Sequence, residues 1–198
     1  MSFYHYIHKN NLHVVWTLNT ERKKMIITDT KTIYIHYGND HYEKREVDLS
    51  TKGFITKPVK AALWSSPEDA GYSWKDWSED QEWNLDALEK SFKFKLKGGS
   101  KILFIRSEKD IDELDENLKT NTNVDNYFPK YTSVFSILRS IMESIIPENY
   151  STIDFSKLRE NGIDAVEIEF NGYTHDAFYG WDCDSICVLN PDAVEEVE

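Results

Sequence analysis

Residues 91–97 (SFKFKLK) alternate apolar and polar side chains without a break. That period of two predicts a half-buried strand with Phe92, Phe94 and Leu96 on its inner face. Gly98, Gly99 and Ser100 then turn the chain, and 101–106 (KILFIR) predicts the returning strand of a hairpin. Residues 31–37 (KTIYIHY) predict another strand, with Ile33 and Ile35 on one face and Tyr34 and His36 on the other; it ends at Gly38-Asn39-Asp40. The alternation of 165–170 (AVEIEF) predicts a strand, and the continuous apolar run of 185–189 (SICVL) predicts one buried on both faces. Nearer the N-terminus, 3–8 and 13–18 predict a strand pair across an Asn10-Asn11 turn, and Met25-Ile26-Ile27 is a short apolar run.

Helical signals are fewer. Val134, Phe135, Leu138, Ile141, Met142 and Ile145 share one helical face over 131–146, and Pro147 ends it. Short helices are predicted at 84–90, at 154–161 closed by Gly162, and from Ser107 to Leu118, where Asp110 lies three positions after the capping serine. Residues 39–60 and 120–126 read as exposed polar connections. Strands linked by turns, without steady strand–helix alternation, predict an α+β fold with largely antiparallel sheets. A length of 198 residues fits a single domain spanning 1–198.

Residues 56–77 (TKPVKAALWSSPEDAGYSWKDW) break this rhythm. A short apolar segment, 61–64, meets Ser65-Ser66-Pro67, and Tyr72, Trp74 and Trp77 follow among small and acidic residues. Three of the six tryptophans fall here. Strand, polar turn and aromatic-rich helix start would make a wall for a flat ligand.

Composition narrows the function classes. Hydrophobic residues at 40% supply a core, so the chain is not of the disordered type. Lys plus Arg number 23 against 35 Asp plus Glu, a formal charge of -12 that repels phosphate backbones. No apolar run approaches the ~18 residues of a membrane span, and MSFYHYIHKNN has no signal-peptide core, so a cytoplasmic protein without a membrane partner is expected. Cys183 and Cys187 lie four apart in one apolar strand, too far to bridge and without a CxxC spacing, so they read as reduced packing residues.

Several chemistries fall away on spacing. His5, His8 and His13 match no ligand pattern and no carboxylate or cysteine completes a set, so no metal is expected. There is no GxSxG elbow and no phosphate loop. His175 lies eight residues before Cys183, a weak basis for a Cys–His pair.

What remains is a three-strand cleft: His36 at one strand end, Trp64 with Ser65 and Ser66 at a second, and an acid, Asp184 or less favourably Asp182, before a third. In order, IYIHYGN, ALWSSPEDAGYSW and DSICVLNPDAV resemble the three motifs of the ADP-ribosyltransferase superfamily, in the branch that contains the poly-ADP-ribose polymerases. The resemblance covers about 34–77 and 163–194. It differs from the family pattern in Lys60-Ala61-Ala62 for glycines, Trp64 for tyrosine and Asp for Glu, and alignment on Asn190-Pro191 puts Ser185 at the acid's position.

The resemblance implies two packed, mainly antiparallel sheets with short helices around a cleft for NAD, which is a substrate. His36, with Tyr37 and Gly38, would hold a ribose hydroxyl; Trp64 would take the tyrosine's place beside Ser65 and Ser66. One of Tyr72, Trp74 and Trp77 would stack on nicotinamide. Asp184 would be catalytic, favouring the positive charge that develops as the glycosidic bond breaks. The implied activity is transfer of ADP-ribose to a protein acceptor with release of nicotinamide, nucleic acid being disfavoured by charge. The alternative is a non-enzymatic acidic inhibitor, of the phage or mobile-element type, that blocks a protein partner.

Overall fold

The structure, a computed structural model, describes residues 25–28, 31–52, 55–60, 62–123, 149–169 and 180–197. The expected N-terminal strand pair and the helix at 131–146 lie outside them.

The described strands are β1 (Ile26–Ile27), β2 (Tyr34–Tyr37), β3 (Asp48–Lys52), β4 (Ile55–Lys60), β5 (Leu63–Pro67), β6 (Ser91–Leu96), β7 (Ile102–Ile105), β8 (Lys119–Asn123), β9 (Asn149–Ile153), β10 (Ala165–Ile168), β11 (Ser185–Val188) and β12 (Val194–Val197). Eight of them form one sheet in the order β1-β7-β10-β11-β5-β2-β6-β12. Only β7 and β10 pair in parallel; the other neighbours are antiparallel. β3–β4 and β8–β9 are separate two-stranded ribbons. The chain is therefore mixed α/β with one large, mostly antiparallel sheet and few short helices.

Strand β6 keeps the expected alternation, with Phe92, Phe94 and Leu96 buried between outward polar residues. Strand β11 is buried at all four positions, as its apolar run requires. Strand β10 is also buried throughout, although its sequence alternates. Its inward acid, Glu167, accepts a hydrogen bond of 2.8 Å from the Tyr34 hydroxyl on β2. Those two strands are three places apart, about 14 Å on a flat sheet, so the sheet is curled. Tyr34, Phe94 and Leu96 from one arm share a core with Ile102, Ala165, Ile186 and Val188 from the other. The outer face of the β7–β10–β11 arm packs a second core with Ile111, Phe155, Leu158 and Trp181.

Four expectations are corrected. Residues 91–106 are not a hairpin: β6 pairs with β2 and β12, whereas β7 pairs with β1 and β10. The Gly98-Gly99 turn is present, with the Ser100 amide donating to the Lys97 carbonyl, but it hands the chain from one arm to the other. Residues 39–60 are not simply an exposed connection, because they contain the β3–β4 ribbon. Lys119–Asn123 is a strand paired with Asn149–Ile153, held by backbone bonds that leave no hydrophobic trace in a Thr/Asn sequence. The helix beginning at Ser107 stops early: α2 (Glu108–Asp112) gives way to a 3-10 turn at Glu116–Leu118, where the Asp115 carboxylate accepts from the Asn117 amide.

The other caps follow the sequence. Ser73 and Asp76 form a reciprocal capping box that starts α1 (Trp74–Asp80). Asp154 caps α3 (Phe155–Glu160), and Gly162 leaves it with φ +75°, a left-handed conformation that favours glycine. The 84–90 helix is a 3-10 turn, Leu85–Glu89.

Candidate functional site

The strands that carry the three motifs are adjacent in the sheet: β5 pairs with β2 on one side and with β11 on the other. A cleft of about 380 Å³ opens at their ends, within the size range of small-molecule sites. His36 and Tyr37 enter it from β2, Trp64 and Ser65 from β5, and Trp74 from α1. Lys57 of β4, Trp83, Asn84, Asp182, Cys183 and Ser185 complete most of the lining.

His36 has a defined protonation pattern. Its Nδ1 lies 2.7 Å from the Trp64 carbonyl, which only accepts, so Nδ1 carries the hydrogen and donates it. Nε2 is then an acceptor, and the Asn39 side-chain amide donates to it at 3.3 Å. Burial holds the imidazole below its ordinary pKa, with the Arg45 charge adding to the effect and the Trp64 carbonyl opposing it. The ring enters the cleft neutral, as a hydrogen-bond acceptor.

The aromatic wall is built by α1. Trp74 stacks on Trp77 with ring centroids 4.9 Å apart at 21°, and Trp83 meets both edge-on at 5.5 and 5.8 Å. Trp74 and Trp83 face the cleft, and Trp77 backs Trp74. The helix start is pinned where the Trp74 amide donates to the Ser66 hydroxyl at 2.8 Å. Ser66 therefore positions the wall and does not line the cleft. Ser65, one residue earlier, does line it: only 4% exposed, its hydroxyl has no hydrogen-bond partner among the described residues.

Trp64 is fixed by its indole N–H, which donates to the Pro58 carbonyl at 2.8 Å. The Lys57 ammonium sits 4.8 Å from the centre of its ring and 6.0 Å from that of Trp181. Burial lowers the Lys57 pKa, while Asp182 and the two cysteines pull it back up. A cation over a tryptophan recovers up to ~2 kcal/mol, less than the several kcal/mol that removing an ammonium from water costs.

The candidate acids separate in the bend that precedes β11, where no strand period holds. Asp182, Cys183 and Ser185 line the cleft, whereas Asp184 turns to the segment before α1. Its carboxylate accepts from the Gly71 amide at 2.9 Å and the Tyr72 amide at 3.2 Å, and its own amide donates to the Tyr72 carbonyl at 2.9 Å. Among the described residues, the acid that lines the cleft is Asp182. Tyr72 also faces elsewhere: its hydroxyl donates to Asp80, which raises its pKa to about 12. Gly38 ends β2 with φ +105°, its amide donating to the Lys90 carbonyl, and does not line the cleft. Burial pushes the Cys183 thiol up to about 12, so it carries no thiolate at neutral pH. Among the described residues no cluster of His, Cys, Asp or Glu is placed to hold a metal ion, and no helix is long and apolar enough to cross a membrane.

The structure thus brings together His36, Tyr37, Trp64, Ser65 and Trp74, and leaves Gly38, Ser66, Tyr72, Trp77 and Asp184 behind or outside the cleft. Lys57, Trp83 and Asn84 were not expected there. The nearness of Trp83 to Trp74 and Trp77 was a visible signal; Lys57 had none, because its position depends on the β3–β4 ribbon. Comparison with protein-family models, with curated proteins and with solved structures gives no match.

Two outcomes follow. Asp184→Ala removes two backbone-to-carboxylate bonds and lowers folding stability by about 1.5–3 kcal/mol, whereas Asp182→Ala changes it by less than about 0.5 kcal/mol. Urea denaturation of both variants checks this, and equal losses would contradict the placement. His36 supplies a pH effect. The unfolded chain protonates it near the ordinary value of 6.5, while the folded chain resists until a lower pH. Stability present above 6.5 is therefore lost as pH falls through the window between the two values. The denaturation midpoint should drop more between about pH 7.5 and 5.5 for wild type than for His36→Gln; an equal drop would refute the depressed value.

Proposed function

We propose that the chain binds NAD in this cleft and transfers its ADP-ribosyl group to a protein acceptor, releasing nicotinamide. The observation that carries it is the convergence of His36, Trp64, Ser65 and Trp74, from three separate elements, on one cleft beside the start of β11. The curled sheet, whose arms share one core, also supports an ADP-ribosyltransferase-like fold with two facing layers.

Each lining group has work to do on that substrate. Trp74, stiffened by Trp77, offers a flat face for the nicotinamide ring. The unpartnered Ser65 hydroxyl suits its carboxamide. The His36 Nε2 lone pair, a hydrogen-bond acceptor in the neutral tautomer, accepts from a ribose hydroxyl that displaces the long 3.3 Å bond from the exposed Asn39 amide. In the reaction the bond from the ribose C1 to the nicotinamide nitrogen breaks and its electron pair leaves with nicotinamide. The acceptor's nucleophile forms the new bond to C1 and gives its proton to solvent or to a carboxylate. Asp182, not Asp184, is the carboxylate on the cleft, and it favours the positive charge that builds on the ribose. A charge of -12 makes a protein acceptor the better fit than nucleic acid.

Calorimetric titration with NAD and a nicotinamide-release assay test this. Wild type binds NAD, and His36→Ala or Trp74→Ala weakens binding about tenfold or more. Asp182→Asn lowers the release rate by about 10²–10³ while Asp184→Asn, once folded, retains it. No binding to wild type at millimolar NAD would refute the proposal and favour an acidic protein that only blocks a partner.

A further inference from the structure

The cleft contains a cation that forms no ion pair with any described residue. Lys57 reaches in from β4, and its ammonium lies over the Trp64 ring at 4.8 Å. Among the described residues it makes no ion pair and no hydrogen bond. Asp182 acts on it only as a field across the cleft, without an ion pair. Several surface lysines are paired: Lys44, Lys93 and Lys95 each meet a carboxylate. In a chain of charge -12 with 35 acidic residues, partners for a lysine are plentiful. Lys57 is instead held by an aromatic face, partly out of water, aimed into the space that a ligand would fill.

We infer that Lys57 is the anion-binding element of the cleft and takes a phosphoryl group of the bound ligand. A partly buried ammonium with no acceptor among the described residues keeps a demand for one, and a phosphate oxygen meets it with a charge-assisted bond. The low-dielectric, aromatic surroundings strengthen that bond relative to one on the surface. Trp64 holds the lysine stem in place beforehand, so little side-chain entropy is lost on binding. On the NAD proposal, from which the choice of probe follows, the group is the phosphate next to the nicotinamide ribose. None of the three sequence motifs contains Lys57, so this contact would be specific to the β3–β4 ribbon of this chain.

The test compares nicotinamide mononucleotide with nicotinamide riboside, which differ by one phosphate, using tryptophan fluorescence and calorimetry. Wild type should bind the mononucleotide about 10- to 100-fold more tightly than the riboside. Lys57→Met should erase that difference and leave riboside affinity unchanged, and Lys57→Arg should keep part of it. Equal affinity of wild type for the two probes, or an undiminished difference in Lys57→Met, overturns the inference. Lys57→Gln replaces the Met variant if that does not melt cooperatively. If wild type binds neither probe, the NAD proposal fails, and inorganic pyrophosphate decides the present one. Quenching of wild-type fluorescence that Lys57→Met lacks would support the anion site; no response in wild type would overturn it.

Discussion

Asp184 ties two parts of the chain together through the backbone of Gly71 and Tyr72. Its carboxylate accepts from the Gly71 and Tyr72 amides, and its amide donates to the Tyr72 carbonyl. That joint ties the start of β11 to the turn before α1, and the Ser66 hydroxyl adds a second tie at the Trp74 amide. Without them α1, only seven residues long, has little to fix its direction. The tryptophan cluster, and with it one wall of the cleft, depends on this joint. A carboxylate that satisfies two backbone amides serves structure, and the bend before β11 leaves its neighbours, Cys183 and Ser185, on the cleft.

The second constraint is the curl of the sheet. Tyr34 and Glu167 hydrogen-bond across three strand spacings, and the apolar side chains of both arms close around them. Curling lets a single sheet bury Phe94 and Ile186 in the same interior. It also brings the ends of β2, β5 and β11 into a concave edge, which is where a ligand is enclosed without opening the core. The cleft is thus a consequence of sheet geometry, furnished afterwards by side chains.

Much of this was legible from the residues. The alternation of 91–97 and the apolar run of 185–189 identify β6 and β11 because one face, or both, must be buried. The order of the three motifs places His36, Trp64 and Asp184 at neighbouring strand ends. Pairing was not legible: Gly98-Gly99 promised a hairpin, yet β6 and β7 gain more by burying their faces in opposite arms. Nor was the acid. Choosing Asp184 over Asp182 turns on the bend at 183–184 before β11, whose conformation carries no residue period that the sequence could show. Lys57 and the β3–β4 ribbon were hidden because polar strands held by backbone bonds carry no hydrophobic period. Trp83 was within reach, since it lies only six residues after Trp77, just past the end of α1, and closes the same cluster.

The central claim is that the edge formed by β2, β5 and β11 is the NAD site. A crystal structure of the protein soaked with NAD tests it most directly. The account predicts the nicotinamide ring against Trp74, the ribose beside His36 Nε2 and Asp182, and no contact with the Asp184 carboxylate. NAD bound elsewhere on the chain, or a cleft that stays empty while His36 and Trp74 remain as described, would contradict it.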